Sequence, residues 1–153
     1  MNGYVVGIYT SPKAGAPMEF KRDVEAIAGV GLKGDRYANA QGSYNKGKPG
    51  KRQVTLINHC FFKDTSFKFD ECRRNIITKD VELMWLIGRE FKIGEAVFLG
   101  VKYCDPCQRP SKLAGKVVNF QRSFYDRGGL VADVVTGGLI KSGSAIIPPK
   151  KDY

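Results

Sequence analysis

Two thiols stand three positions apart in the stretch Tyr103-Cys104-Asp105-Pro106-Cys107-Gln108-Arg109-Pro110-Ser111. A Cys-x-x-Cys loop that opens onto a helix start favours sulfur chemistry, because unsatisfied amides and the helix dipole stabilise a thiolate over a thiol. Arg109 and Lys112 add positive charge close by. The spacing serves three chemistries: sulfur transfer through a persulfide, thiol–disulfide redox, and one half of a tetrahedral zinc site.

The other candidates lie elsewhere in the chain. Cys60, Cys72 and His59 complete a zinc set only if the fold gathers them beside the pair, and a thioredoxin-like motif belongs in a βαβ context that this sequence does not show. His59 is the only imidazole; at a strand–helix junction it reads as incidental rather than as the base of a Cys–His pair. The loop Gly31-Leu32-Lys33-Gly34-Asp35-Arg36-Tyr37 sets amides and cations where an anion could sit, or is a plain glycine turn with an internal Asp–Arg pair. Arg73, Arg74 and Asn75 offer planar, forked donors suited to phosphate and heterocycle edges, or form an exposed basic strand end.

The elements that must position these residues are mostly strands. Tyr4–Tyr9, Gln53–Ile57, the pair Ile76-Ile77, the stretch after Gly88, the alternating run Val97–Tyr103, Leu130–Val135, Leu139-Ile140 and Ser144–Ile147 all have strand character. Thr136-Gly137-Gly138 predicts a hairpin between two of them. Val81–Leu86, around Trp85, reads as core. A short helical stretch is expected from His59 to Lys68, capped by Asn58. A longer helix is expected from Pro110-Ser111 to Arg127, with Leu113, Val117, Phe120 and Phe124 on one face and Gly128-Gly129 at its end. Residues 38–52 form a polar loop, expected to be mobile and to order when something binds. The pattern predicts a mainly β fold, a barrel or sandwich with a few short helices, as a single domain over 1–147 followed by a frayed tail at 148–153.

With 153 residues, the chain can bury a core without disulfide staples, so its four cysteines read as thiols or ligands. Lys and Arg outnumber Asp and Glu by 25 to 15, which favours an anionic partner. Charge alone supports nucleic-acid binding, and no recognised motif joins it. No apolar run approaches the roughly 20 residues of a membrane span, and the N-terminus lacks the form of a signal peptide. A cytoplasmic location without membrane attachment is expected.

Several segments, in order, resemble the MOSC family, the C-terminal domain of molybdenum cofactor sulfurases, which also occurs as small stand-alone proteins. They are Gly34-Asp35-Arg36-Tyr37, Gln53–Ile57, Arg73-Arg74-Asn75-Ile76, Leu86–Ala96, Cys104-Asp105-Pro106-Cys107 and Arg127-Gly128-Gly129-Leu130 leading to Gly143. The resemblance implies a β-barrel with one family cysteine in a pocket. That cysteine matches Cys107, and Cys104 is an accessory thiol. It also implies that Asp35, Arg36, Arg73, Arg74 and Asn75 lie near a pterin and its phosphate, with Arg109 beside them. The chain carries neither the N-terminal β-domain of the larger relatives nor a pyridoxal-phosphate domain.

Two functions follow from the resemblance. The first is a sulfur carrier that loads Cys107 from a cysteine desulfurase or another sulfur donor. The second is a molybdenum-cofactor (molybdopterin) enzyme in which Cys107 binds the metal and an electron-donor protein drives reduction of N-hydroxylated compounds.

Overall fold

The computed structural model describes residues 3–149. Eleven strands run β1 (Gly3–Thr10), β2 (Glu19–Lys21), β3 (Asp23–Ile27), β4 (Gly31–Leu32), β5 (Val54–Asn58), β6 (Ile76–Lys79), β7 (Glu90–Ile93), β8 (Ala96–Tyr103), β9 (Leu130–Thr136), β10 (Gly138–Lys141) and β11 (Ala145–Ile147). Seven of them close a barrel in the order β11-β7-β8-β9-β5-β6-β1, with β1 returning to β11. Strand β2 extends the sheet outward from β1, and β10, β3 and β4 form a separate three-stranded sheet. Among the described residues no helix is long and apolar enough to cross a membrane.

The barrel is antiparallel except at one seam, where β5 and β6 run parallel. A parallel pair needs a long crossover and is normally covered on both faces. Both conditions hold here. Leu56 and Ile76 face the barrel interior with Val5, Ile8, Phe91, Phe98 and Leu130. Their neighbours Ile57 and Ile77 face outward into a second core with Phe62, Phe67, Phe120 and Phe124. Aromatic contacts tie that second core together, with Phe120 stacked on Phe124 at 4.3 Å and Phe67 edge-on to Phe120 at 5.1 Å. The second core fixes the outer segments, and so the functional loops, to the β5–β6 seam.

Three sequence expectations change. The helix expected over 110–127 is two short ones, α1 (Arg109–Ala114) and α2 (Phe120–Ser123). Gly115, at φ +66°, ends the first, and the β-branched Val117 and Val118 that follow are exposed, so only Phe120 and Phe124 of the proposed face reach the core. The expected hairpin at 136–138 is a change of sheet: β9 pairs with β5 and β8, whereas β10 pairs with β3. His59–Phe62 and Phe69–Glu71 are separate 3-10 turns, and Asn58 makes no cap with its side chain. That side chain donates to the Val81 carbonyl at 3.0 Å and accepts from Thr78 Oγ1 at 2.6 Å. In the Val81–Leu86 stretch, Leu83 and Leu86 are core but Met84 is exposed. Residues 150–153 of the expected tail lie outside the described residues.

Asn75 fastens the seam to β1. Its Oδ1 accepts from the Thr55 amide at 3.0 Å and the Thr55 hydroxyl at 3.2 Å, and its Nδ2 donates to the Tyr9 carbonyl at 3.1 Å. Losing those partners leaves buried groups on two strands unpaired, at about 1–3 kcal/mol each. Asn75→Ala is expected to lower the urea midpoint by an amount equivalent to about 2–4 kcal/mol, with an unchanged m-value, in equilibrium denaturation.

Candidate functional site

The Cys104–Cys107 loop leaves the end of β8 and enters α1. A helix of six residues has too little aligned dipole to act as an anion site, so the positive charge expected there must come from side chains. It comes from arginines. Cys107 lines a cleft together with Arg36, Arg52, Arg73, Arg74 and Arg109, and with Tyr37, Tyr44 and Asp105. Lys112 is exposed, outside this lining, and Lys33 lies 4.0 Å from Glu25. The enclosed space is about 40 Å³, room for a few waters or the head of one tetrahedral oxyanion.

The five arginines reach the cleft from four stretches of backbone, Arg73 and Arg74 sharing one. Asp35 is fully buried and organises the first turn. Its carboxylate accepts from the Ser11 amide at 3.1 Å, the Tyr37 amide at 3.2 Å and Arg36 Nη1 at 3.1 Å. Arg36 Nη2 then donates to the Tyr37 hydroxyl at 3.0 Å and to the Arg73 carbonyl at 2.9 Å. Arg73 holds a left-handed backbone, φ +65°, at a cost of about 1–2 kcal/mol for a residue with a Cβ. Successive side chains of an extended chain point to opposite sides, and this turn lets Arg73 and Arg74 line the same cleft. Burial, then repulsion from Arg36, pushes the Arg73 guanidinium down to about 10, with Arg109 also acting against its charge.

Arg74 is buried, 6% exposed. Its Nε donates to the Gly128 carbonyl at 2.7 Å and its Nη1 to the Cys72 carbonyl at 3.2 Å, while its Nη2 is buried with no hydrogen-bond partner. Burial works against its charge, but the negative potential that Cys104, Cys72, Tyr37 and Cys107 can supply outweighs this and raises its pKa above the ordinary arginine value. Gly128 and Gly129, expected only to end a helix, instead permit backbone contact. A Cβ on Gly128 would lie 2.0 Å from the Cys104 carbonyl oxygen, and one on Gly129 2.0 Å from that of Leu56. The Gly128 carbonyl that holds Arg74 is therefore pressed against the cysteine loop.

The thiols are unequal. Cys107 is half-buried at the cleft, Cys104 is 1% exposed with its sulfur 3.8 Å from Arg52 Nη1, and neither is in a disulfide. Cys72 donates to the Phe69 carbonyl at 3.1 Å and accepts from the Arg74 amide at 3.4 Å. Burial, partly opposed by Arg74, pushes its thiol up to about 11. His59 and Cys60 line a different groove with Asp80 and Glu82. Among the described residues, no three His, Cys, Asp or Glu side chains are grouped as a metal site.

Of the residues singled out in the sequence, Cys107, Arg36, Arg73, Arg74 and Arg109 share the cleft. Asp35 and Asn75 are not in its lining; Asp35 holds backbone amides and the Arg36 guanidinium, and Asn75 holds backbone groups and the Thr55 hydroxyl. Arg52, Tyr37 and Tyr44 were missed. Arg52 ends the polar loop and its guanidinium stacks 3.8 Å over the Tyr44 ring. That loop is tied together by Asn45, whose Nδ2 reaches the carbonyls of Tyr37, Lys48 and Arg52, each at 3.2 Å. The readable signal was an aromatic and a cation flanking a buried amide in an otherwise featureless segment.

Fold and site together define a small closed β-barrel that sets one thiol among five guanidinium groups. More specifically, the chain belongs to the MOSC domain family, whose model matches residues 51–147. It is similar in fold to the YuaD protein from Bacillus subtilis, at 16% identity and TM-score 0.78, covering 95% of this chain and 94% of that one. It is also similar to YiiM from Escherichia coli, at 15% identity and TM-score 0.68 over 99% and 71% of the two chains. YiiM from Geobacillus stearothermophilus aligns at 13% identity and TM-score 0.70 over 97% and 75%. Comparison with curated protein sequences finds no match.

The burial pattern predicts selective alkylation. At neutral pH, iodoacetamide should label Cys60 and Cys107 in the folded protein and spare Cys104 and Cys72. Because the Cys72 thiol titrates near 11, it remains protonated there. Peptide mapping by mass spectrometry before and after denaturation checks this, and rapid labelling of Cys72 in the folded state would contradict it.

Proposed function

We propose that this protein is a sulfur carrier: Cys107 accepts sulfane sulfur as a persulfide in the arginine-lined cleft and passes it on for metal–sulfur or molybdenum cofactor assembly. The observation that carries this reading is one partly accessible thiol sharing a cleft with five guanidinium groups. Sulfur transfer needs a sulfur atom that a donor can reach and an environment that tolerates its anion. Cys107 has both. Cys104, buried behind Arg52, is suited to an accessory part, displacing transferred sulfur or closing the site as a disulfide. The donor on this reading is a cysteine desulfurase or another sulfur source.

A second reading is favoured by the unpartnered Nη2 of Arg74 and by a cation count that exceeds what one persulfide anion needs. In it the cleft holds a molybdenum cofactor. Cys107 would be the soft thiolate ligand, and Arg36, Arg52, Arg73, Arg74 and Arg109 would hold the phosphate and other anionic oxygens; this donor set fits the group. The enclosed space fits the phosphate rather than the pterin, so the loop carrying Ser43, Tyr44 and Arg52 would have to open. When bound, the cofactor would supply two-electron redox chemistry, with N-hydroxylated compounds as substrates and electrons from a partner protein. The chain's own residues would anchor its charge and cover it with the Tyr44–Arg52 pair.

Two measurements separate the readings. After incubation with a desulfurase and cysteine, intact-mass analysis should show one added sulfur on the wild type, none at the site in Cys107→Ser, and reduced loading in Cys104→Ser. Undiminished loading of Cys107→Ser would sink the carrier reading. Protein purified from a cofactor-producing cell should contain no stoichiometric molybdenum if it is a carrier, and about one molybdenum per chain if the second reading holds.

A further inference from the structure

We propose that the cleft takes its sulfur from a small sulfane-sulfur oxyanion of the thiosulfate class, held by its sulfonate oxygens while Cys107 attacks. The inference rests on the carrier reading and names its donor. The step balances without any further reagent. The Cys107 thiolate forms a bond to the outer, sulfane sulfur of thiosulfate, and the bond between the two thiosulfate sulfurs breaks with its electron pair leaving on sulfite. The products are the Cys107 persulfide anion and sulfite dianion, carrying the same total charge as the reactants.

Charge is what makes this reaction difficult in water and what the cleft addresses. A thiolate must approach a dianion, and like charges in contact repel by about 1 kcal/mol or more per unit pair even at high dielectric. The cleft brings five guanidinium groups to the place where the two anions meet. Arg73 shows that these cations crowd one another, since Arg36 and Arg109 both disfavour its charge; an anion among them relieves that repulsion. Arg36 and Arg74 are fixed by carbonyl hydrogen bonds, so they are aligned before the donor arrives. Arg74 lines the cleft with one buried nitrogen, Nη2, left without a hydrogen-bond partner, so its charge is incompletely balanced and favours an anion there.

Size points the same way. About 40 Å³ of enclosed space admits a sulfonate head. A cysteine persulfide on another protein brings a loop of backbone with it and only one negative charge, which leaves most of the guanidinium groups unmatched. Tyr44 and Arg52, stacked on each other in the cleft lining, are placed to cover a small bound anion.

The test is loading of the full chain with thiosulfate alone, following sulfur addition by intact mass and sulfite release, in parallel with loading by a desulfurase and cysteine. Wild type is expected to gain one sulfur and release an equal amount of sulfite, and Cys107→Ser to do neither. Arg109→Gln changes an exposed side chain, so the fold is retained. It should slow thiosulfate loading about tenfold or more, the loss of a charge-assisted contact, and desulfurase loading by less than about threefold. Loading by the desulfurase but not by thiosulfate overturns this inference and leaves the carrier reading standing. Failure of both donors overturns the carrier reading itself. Equal slowing with both donors means that Arg109 acts on the thiol rather than on the donor, and overturns recognition of the oxyanion.

Discussion

A guanidinium group buried without a carboxylate is the constraint on which the site depends. Among the described residues, Arg74 pairs with no acidic side chain; two backbone carbonyls take that place. Removing a cation from water costs several kcal/mol unless its donors are satisfied, and here one donor is left over. The surrounding architecture serves this arrangement. Gly128 brings its carbonyl in by lying against the Cys104 carbonyl, Cys72 contributes its carbonyl from the end of the crossover, and the left-handed turn at Arg73 sets the neighbouring arginine in the same cleft. Removal of any of these parts would expose the imbalance.

The parallel seam explains why the cleft is where it is. The β5–β6 crossover carries Cys72, Arg73 and Arg74 on its return, and the second aromatic core on the outer face of that seam also holds α2 and the segment after the cysteines. Both halves of the site, thiol and cations, are therefore registered against the same pair of strands. Asn75, which resembled a ligand-binding amide, is the fastener of that seam.

Much of the fold was legible because strand character is local. Tyr4–Tyr9, Gln53–Ile57, Val97–Tyr103 and Ser144–Ile147 all announce themselves by β-branched and aromatic residues, and strands formed there within a residue or two of those bounds. Partners are not local. Nothing at Thr136-Gly137-Gly138 distinguishes a hairpin from a change of sheet, because that depends on whether β3 lies beside β10. The helix over 110–127 had the right period but not the right middle: Gly115 and two exposed valines break it. The site was legible as chemistry rather than as geometry. Polar residues at 35, 36, 73, 74 and 75 all looked available, yet the Asp35 and Asn75 side chains are engaged by backbone amides and carbonyls, Arg36 and Thr55, and of the five only the arginines line the cleft. Arg52 was hidden because its significance comes from Tyr44 and Cys104, which only folding brings to it.

Closure of the barrel falls to the pairing of Gly3 and Tyr4 with Ile146 and Ala145, the strand partners furthest apart in sequence among the described residues. Pairings of such separation form late, after loop-closure entropy has been overcome. Every residue that lines the thiol cleft lies between those two strands in sequence, and none belongs to either of them. The pairing that closes the ring therefore bears on Cys107 only through the sheet between them, and a lesion there would reach the cleft from a distance.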